Sequence, residues 1–226
     1  MQLNTDWSQS VVLYTTDLPW QGSPAQGIER RLLERSGQES GRATSVVRYA
    51  PQASFPRHEH PLGEEIFVLT GTFSDETGCY GPGTYLRNTP GSAHTPYSET
   101  GCILFVKLRH MDPDDHQRVQ VQMGQASWSP GLVDGLTVLP LADFGGEHTA
   151  LVRWQPDTYF QPHRHYGGEE ILVLEGTFAD EHGHYPAGTW MRSPHLSAHQ
   201  PYSTEGCLIL VKTGHLPFPD NMTNAG

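Results

Sequence analysis

The chain has 226 residues, with 25 Asp and Glu against 14 Lys and Arg, for a formal net charge of −11. An acidic balance of this kind repels phosphate backbones and no basic run relieves it, so nucleic acid is not an expected partner. No apolar run approaches the ~18 residues of a membrane-spanning helix, and the first six residues carry no basic segment leading into an apolar one, so no membrane partner and a cytoplasmic location are expected.

Residues 27–35 read as one or two helical turns, the only helical signal in the chain. Residues 44–49 follow as a short strand rich in β-branched and aromatic residues. Residues 65–69 form a second such strand, the Asp75-Glu76-Thr77-Gly78 cluster a turn, and residues 102–107 a third strand. The polar, proline-containing segment 111–115 reads as a junction. The pattern then starts again, with strands at 149–154, 170–174 and 207–212. Many short strands, with 24 Gly and 18 Pro between and around them, predict an all-β sandwich or closed barrel.

The recurrence is a true internal duplication. Residues 64–107 match residues 169–212 at a constant offset of 105 without a gap, and about 25 of those 44 positions are identical. Upstream, Val47-Arg48-Tyr49 corresponds to Val152-Arg153-Trp154, and Phe55 to Phe160; with small gaps, Ser23-Pro24 and Gly27 resemble Ser129-Pro130 and Gly135. Two units are expected, at residues 1–115 and 116–226.

Cysteines 79, 102 and 207 are odd in number and far apart, which argues against a disulfide framework and excludes a Cys-x-x-Cys site. The 13 histidines are more informative. The first unit contains His58-x-His60-x-x-x-Glu64 and, later, His94; the second contains His163-x-His165-x-x-x-Glu169 and His199. Residues i and i+2 of a strand share a face, so each His-x-His pair can converge on one ion. The turn after it can return a carboxylate to the same point, and a later strand can bring the distal histidine across the barrel. Three imidazoles and a carboxylate suit a borderline divalent cation, whereas calcium and magnesium prefer all-oxygen shells.

A lone His-x-His is commonly a surface accident. Here the same four groups recur at one spacing while their neighbours differ, as with Glu59 and Arg164 or Pro61 and Tyr166. The repeated neighbours Glu65 and Glu170 alternate to the opposite face of the strand, where an exterior ion pair with Arg48 or Arg87 is expected.

The pattern His-x-His-x-x-x-Glu-x6-Gly, with a later Ser-Ala-His, resembles the cupin superfamily. The run from His163 to Glu181, continued by Gly-x-Tyr-x-x-Gly-Thr-x-x-Arg, Ser-Ala-His-x-Pro-Tyr-Ser and Gly-Cys, resembles the cupin-like domain of ChrR-type anti-sigma factors. The resemblance covers about 100 residues of each unit. It implies two tandem cupin (jelly-roll β-barrel) units with ligand roles for His58, His60, Glu64, His94, His163, His165, Glu169 and His199. It also implies a divalent metal in each, zinc foremost, with iron, manganese or nickel as alternatives.

The chain departs from the family in several places. It has no Cys-x-x-Cys and no spare helical segment for an anti-sigma zinc domain, so sigma-factor binding is not expected. Gln52 and Asp157 stand where the first cupin motif opens with glycine, and Ser98 and Ser203 where the second carries asparagine. His195-Leu196-Ser197 replaces Pro90-Gly91-Ser92 on the approach to the distal histidine, which puts the loop near His199 in doubt.

The recurring Tyr97/Tyr202, Arg87/Arg192, Tyr85/Trp190 and Lys107/Lys212 are read as residues of barrel packing and strand pairing, with the lining of a substrate cavity as the alternative. Cys102 and Cys207 are read as buried small hydrophobes, with redox sensing as the alternative although no adjacent cation would lower the thiol pKa, and His110, His116, His148, His182, His184, His195 and His215 as surface residues. Two functional classes follow. The chain is a metal-binding bicupin that senses or binds a small molecule or oxidant, or it is a metal-dependent enzyme such as a dioxygenase or hydrolase. A third reading, one barrel serving only for packing, is disfavoured by complete ligand sets in both units. A homodimer is compatible with either class.

Overall fold

Three strands lie side by side at the centre of the first unit: Ala43–Tyr49, Cys102–Leu108 and Glu64–Gly71. Their alternate residues Val47 and Tyr49, Leu104 and Val106, and Ile66 and Val68 share one core with Ile28, Phe73 and Leu86. The computed structural model describes residues 1–217, and the end of the second expected unit, 218–226, lies outside the described residues. Two compact units divide the chain: Met1–Thr5 with Thr16–Ala126, and Asp6–Thr15 with the chain from Ser127 onward.

In the first unit the large sheet continues outward from those strands to Ile28–Ser36 and Gln2–Leu3 on one side, and to Thr84–Asn88 and Val119–Gln122 on the other. A smaller sheet pairs Gly78–Tyr80, Phe73–Asp75, Tyr97–Ser98 and Ala53–Ser54, and His58–His60 pairs separately with Ser92–His94. The second unit repeats this plan around Glu147–Trp154, Cys207–Thr213 and Glu169–Asp180, and its core gathers Leu136, Trp154, Ile171, Val173, Phe178 and Ile209. The two units are tandem jelly-roll barrels. Each long central strand bends at a bulge, where the register slips opposite Leu69 or Leu174. A bulge raises local twist, which lets one strand leave the large sheet and enter the small one.

The only helix among the described residues is a three-residue 3-10 turn, Thr15–Asp17, and none is long and apolar enough to cross a membrane. The expected helical turns at 27–35 are instead the strand Ile28–Ser36. Leu, Glu and Arg favour a helix, but pairing with Ala43–Tyr49 prevails. An extra residue, the fully buried Leu33, bulges out of register between Leu32 and Glu34 and hides the two-residue period. Strand register also revises one upstream correspondence. Gln21–Gly22 faces Arg30 and Glu29, as Ser129–Pro130 faces Val138 and Thr137, so Ser129–Pro130 matches Gln21–Gly22 rather than Ser23-Pro24.

The units interleave along the chain. Val11–Tyr14 belongs to the second unit, where it forms the edge of the large sheet and Val11 faces Arg192 on Thr189–Ser193. Val119–Gln122 belongs to the first, where Val119 faces Arg87 on Thr84–Asn88. The division by contacts therefore differs from a single cut at residue 115. A fragment spanning 16–115 lacks its Val119–Gln122 edge strand and exposes Thr84–Asn88, whereas 16–126 covers it. We expect the shorter fragment to aggregate or to melt lower, by about 4–8 °C for each 1 kcal/mol lost. Matching thermal unfolding of the two fragments would refute this.

Candidate metal centres

Cross-strand pairing brings the distant histidines together. His58 faces His94 across the pair of strands His58–His60 and Ser92–His94, and His163 faces His199 in the second unit. The two-residue period puts His60 beside His58 and His165 beside His163. Ring centroids in each trio lie 4.6–4.9 Å apart.

A turn then returns the glutamate. Gly63 and Gly168 take positive φ (71° and 72°), and their N–H groups donate to the carbonyls of His60 and His165. A side chain would not fit at either place, since a Cβ would meet Met111 Sδ at 2.1 Å or Leu216 Cδ1 at 2.4 Å. Glu64, Ile66 and Val68 share the interior face; Glu65 alternates to the other, where Arg87 lies 3.3 Å away.

In the first unit one atom each of His58, His60, Glu64 and His94 lies within 4.8 Å of the others. In the second, His163, His165 and His199 meet the same limit, while Glu169 Oε2 stands 3.5 Å from His165 Nε2 and 3.6 Å from His199 Nε2. The glutamates differ in support. Asn88 Nδ2 donates to Glu64 Oε2 at 3.0 Å. The residue facing Glu169 at that register is Ser193, and Glu169 Oε2 has no hydrogen-bond partner.

Four of the six rings are turned by contacts of the outer nitrogen to a carbonyl or carboxylate. His58 Nδ1 contacts the Pro56 carbonyl at 3.0 Å and His163 Nδ1 the Gln161 carbonyl at 3.1 Å. A carbonyl only accepts, so Nδ1 carries the proton and Nε2 presents a lone pair. Asp75 Oδ2 lies 3.2 Å from His94 Nδ1, and Asp180 Oδ2 3.3 Å from His199 Nδ1, with the same consequence. These aspartates were missed as site residues. Asp75 reads as a turn residue, yet both recur at the 105-residue offset inside the same Phe-x-Asp string.

The inward atoms fit a cation. His60 Nε2, His94 Nε2 and Glu169 Oε2 are buried without a hydrogen-bond partner, an arrangement that costs free energy unless something neutralises it. His165 Nε2 and His199 Nε2 stand 3.0 Å apart. Burial pushes the His60 imidazole down to about 4 and His165 down to about 3. His94 and His199 meet the same burial cost, but the hydrogen bonds to Asp75 and Asp180 and the nearby glutamates overcome it and raise both. Burial pushes Glu169 up to about 7.

A cavity opens on each cluster. The first, about 280 Å³, is lined by His58, His60, Glu64 and His94 with Ile28, Val47, Tyr49, Phe73 and Leu104. The second, about 180 Å³, meets His163, Glu169 and His199 amid Trp154, Phe160, Phe178 and Ile209. None of Arg87, Tyr85, Tyr97, Lys107 or their counterparts lines these cavities. The expected exterior pair of Glu65 is buried: Arg87 also donates to Asp115, and its side chain is 2% exposed. Arg48 pairs with Glu29 instead.

Cys102 and Cys207 are buried, and burial pushes both thiols up to about 11, as suits inert core residues. His110 and His215, expected at the surface, have buried side chains. They occupy matching positions at the 105-residue offset and lie 3.7 and 3.3 Å from Glu65 and Glu170.

The family departures have a structural account. Gln52 and Asp157 hold positive φ (62° and 57°), the conformation for which glycine is the unstrained choice. Leu196 does the same at φ 63° where its twin is Gly91. The loop near His199 nevertheless keeps its form, because Leu196 N–H bonds the His165 carbonyl as Gly91 N–H bonds that of His60. Ser98 and Ser203 donate to the Thr72 and Thr177 carbonyls.

A small jelly-roll barrel with an inward histidine cluster is a cupin, and this chain carries two in tandem. The profile of the ChrR cupin-like domain matches residues 8–112 and again 116–217, so the chain belongs to that family. Among solved structures, a candidate dioxygenase from Nostoc punctiforme superposes with TM-score 0.76 at 18% identity, covering 91% of this chain and 82% of its own. The Ylba protein of E. coli gives 0.73 at 14%, covering 95% and 94%. The oxalate decarboxylase of Lactobacillus farciminis, in a formate complex, gives 0.65 at 13%, covering 92% and 86%. At these identities the likeness establishes the fold alone. No curated protein matches the chain.

The protonation pattern of the metal-free chain is a direct check. Below about 6.5 the unfolded chain protonates His60 and His165 but the folded chain does not, so this pair loses stability as pH falls towards 4. His94 and His199 act oppositely, adding stability at low pH that is lost as pH rises through their raised values. Imidazole NMR titration of metal-free protein should show His60 and His165 neutral at pH 5 with His94 and His199 charged. A common midpoint for all four would contradict the assignment.

Proposed function

We propose that the protein is a metal-binding bicupin whose barrels each hold one divalent cation, zinc foremost, and bind or sense a small molecule or oxidant beside it. The carrying observation is that His60 Nε2, His94 Nε2 and Glu169 Oε2 are buried without a hydrogen-bond partner inside the two clusters. His58, His60, Glu64 and His94 would hold the cation in the first barrel, and His163, His165, Glu169 and His199 in the second. A bound cation would supply Lewis acidity to a ligand in the adjoining cavity. The chain's own part is positional: Asp75 and Asp180 hold the distal rings, Asn88 holds Glu64, and the apolar walls limit water.

A second reading, a metal-dependent enzyme of the dioxygenase kind, draws support from the cavity of about 280 Å³ opening on the first cluster. The Nostoc and Lactobacillus neighbours, named for a dioxygenase and an oxalate decarboxylase, lean the same way. Metal identity separates the readings. Zinc without oxygen consumption supports binding or sensing; iron or manganese with substrate-dependent oxygen uptake supports the enzyme.

Elemental analysis should find two equivalents of metal per chain. His60→Ala should remove one and leave the other; retention of both would overturn the ligand assignment. Asp75→Asn should keep the fold while weakening metal at the first site by about 10–100-fold. Because protons compete for the same nitrogens, metal should leave as the pH falls below about 6.

A further inference from the structure

The two cavities diverge in charge. Arg30 and Arg109 line the first. Strand register gives their counterparts in the second: Arg30 faces Val47 as Val138 faces Val152, and the Arg109 N–H bonds the Gly63 carbonyl as the Gly214 N–H bonds that of Gly168. The second cavity therefore has valine and glycine where the first has two guanidinium groups.

These arginines are not equivalent. Arg30 is engaged by both oxygens of Glu39, at 2.9 and 3.1 Å. Arg109 has no ion pair or side-chain hydrogen bond among the described residues, and its charge reaches His60. The other carboxylates of the cavity do not answer it: Glu64 accepts from Asn88, and Glu59 is solvent-exposed. Arg109 also holds φ 57°, in the left-handed region, where the twin position is Gly214 at φ 79°. Glycine would occupy this position without strain. The first barrel carries instead a strained, unpaired cation beside a half-buried apolar chamber, a placement that stability alone does not favour.

We propose that Arg109 is an anion-binding residue of the first cavity, and that this barrel's ligand is a small organic acid. Its carboxylate would lie against the Arg109 guanidinium, a planar fork suited to two parallel hydrogen bonds. Its apolar body would lie against Ile28, Val47, Phe73 and Leu104. The second barrel lacks the cation and does not select for charge. The inference rests on the reading of the barrels as small-molecule sites, and it adds the ligand's chemical class and the barrel that takes it.

Benzoate and its neutral counterpart benzamide are suitable probes, titrated calorimetrically into the full chain with metal content measured on the same samples. Benzoate should bind and benzamide should bind at least about tenfold more weakly, a difference of 1.4 kcal/mol. Arg109→Gly, which installs the twin barrel's own residue, should weaken benzoate by about tenfold or more with metal content unchanged. Arg109→Lys should restore part of the affinity.

Equal binding of the two probes, or no binding of benzoate, would overturn the proposal. So would full benzoate affinity in Arg109→Gly, including the case where only His60→Ala abolishes it and the anion sits on the metal. Arg109-dependent binding in a chain that carries no metal would sustain this proposal while removing the metal reading.

Discussion

An imidazole has two nitrogens, and the protein commits the outer one of most rings in its two clusters. Backbone carbonyls hold His58 and His163; aspartates hold His94 and His199. Once Nδ1 is the donor, the lone pair on Nε2 points inward, away from water and towards like lone pairs. Three such acceptors and a carboxylate in one buried space repel each other and lack donors. Protons relieve this only in part: the aspartates and glutamates favour charging His94 and His199, but burial disfavours charging His60 and His165. A divalent cation relieves it directly. The barrel's hydrogen bonds thus create an electrostatic deficit of one specific shape.

The strand period decides which groups share that space. Glu64 and Glu65 are adjacent, yet one faces the core with Ile66 and Val68 and the other meets Arg87. The same alternation separates Glu169 from Glu170, which lies near His215. Duplication preserved this division while letting the interiors drift. Ser193 stands opposite Asn88, Trp154 opposite Tyr49 and Gly214 opposite Arg109 in the repeat, so the barrels share a cluster plan but differ in how firmly the carboxylate is held and in what lines the chamber.

Most of the fold, and which side chains gather in each cluster, were legible in the sequence because they rest on short-range rules. The offset of 105 revealed the repeat, and the two-residue period picked Glu64 over Glu65. What escaped depends on tertiary pairing. Asp75 and Asp180 resemble ordinary turn residues until Ser92–His94 and Ala198–His199 arrive beside them. The bulge at Leu33 erased the alternation of Ile28–Ser36 and let helix formers mislead. His110 and His215 stood just beyond the ungapped match, and polarity alone suggested the surface. Arg109 gave no sign, because a positive φ and an unanswered charge are properties of coordinates.

The edge strands carry a consequence for how such a chain arose. Val11–Tyr14 heads the first repeat but completes the second barrel, and Val119–Gln122 heads the second repeat but completes the first. Neither repeat closes on itself. A single-repeat ancestor with this topology could have satisfied its open border only by trading strands with another copy. The fused gene performs that barter within one polypeptide, so the two halves are bound by mutual loan as well as by the peptide bond.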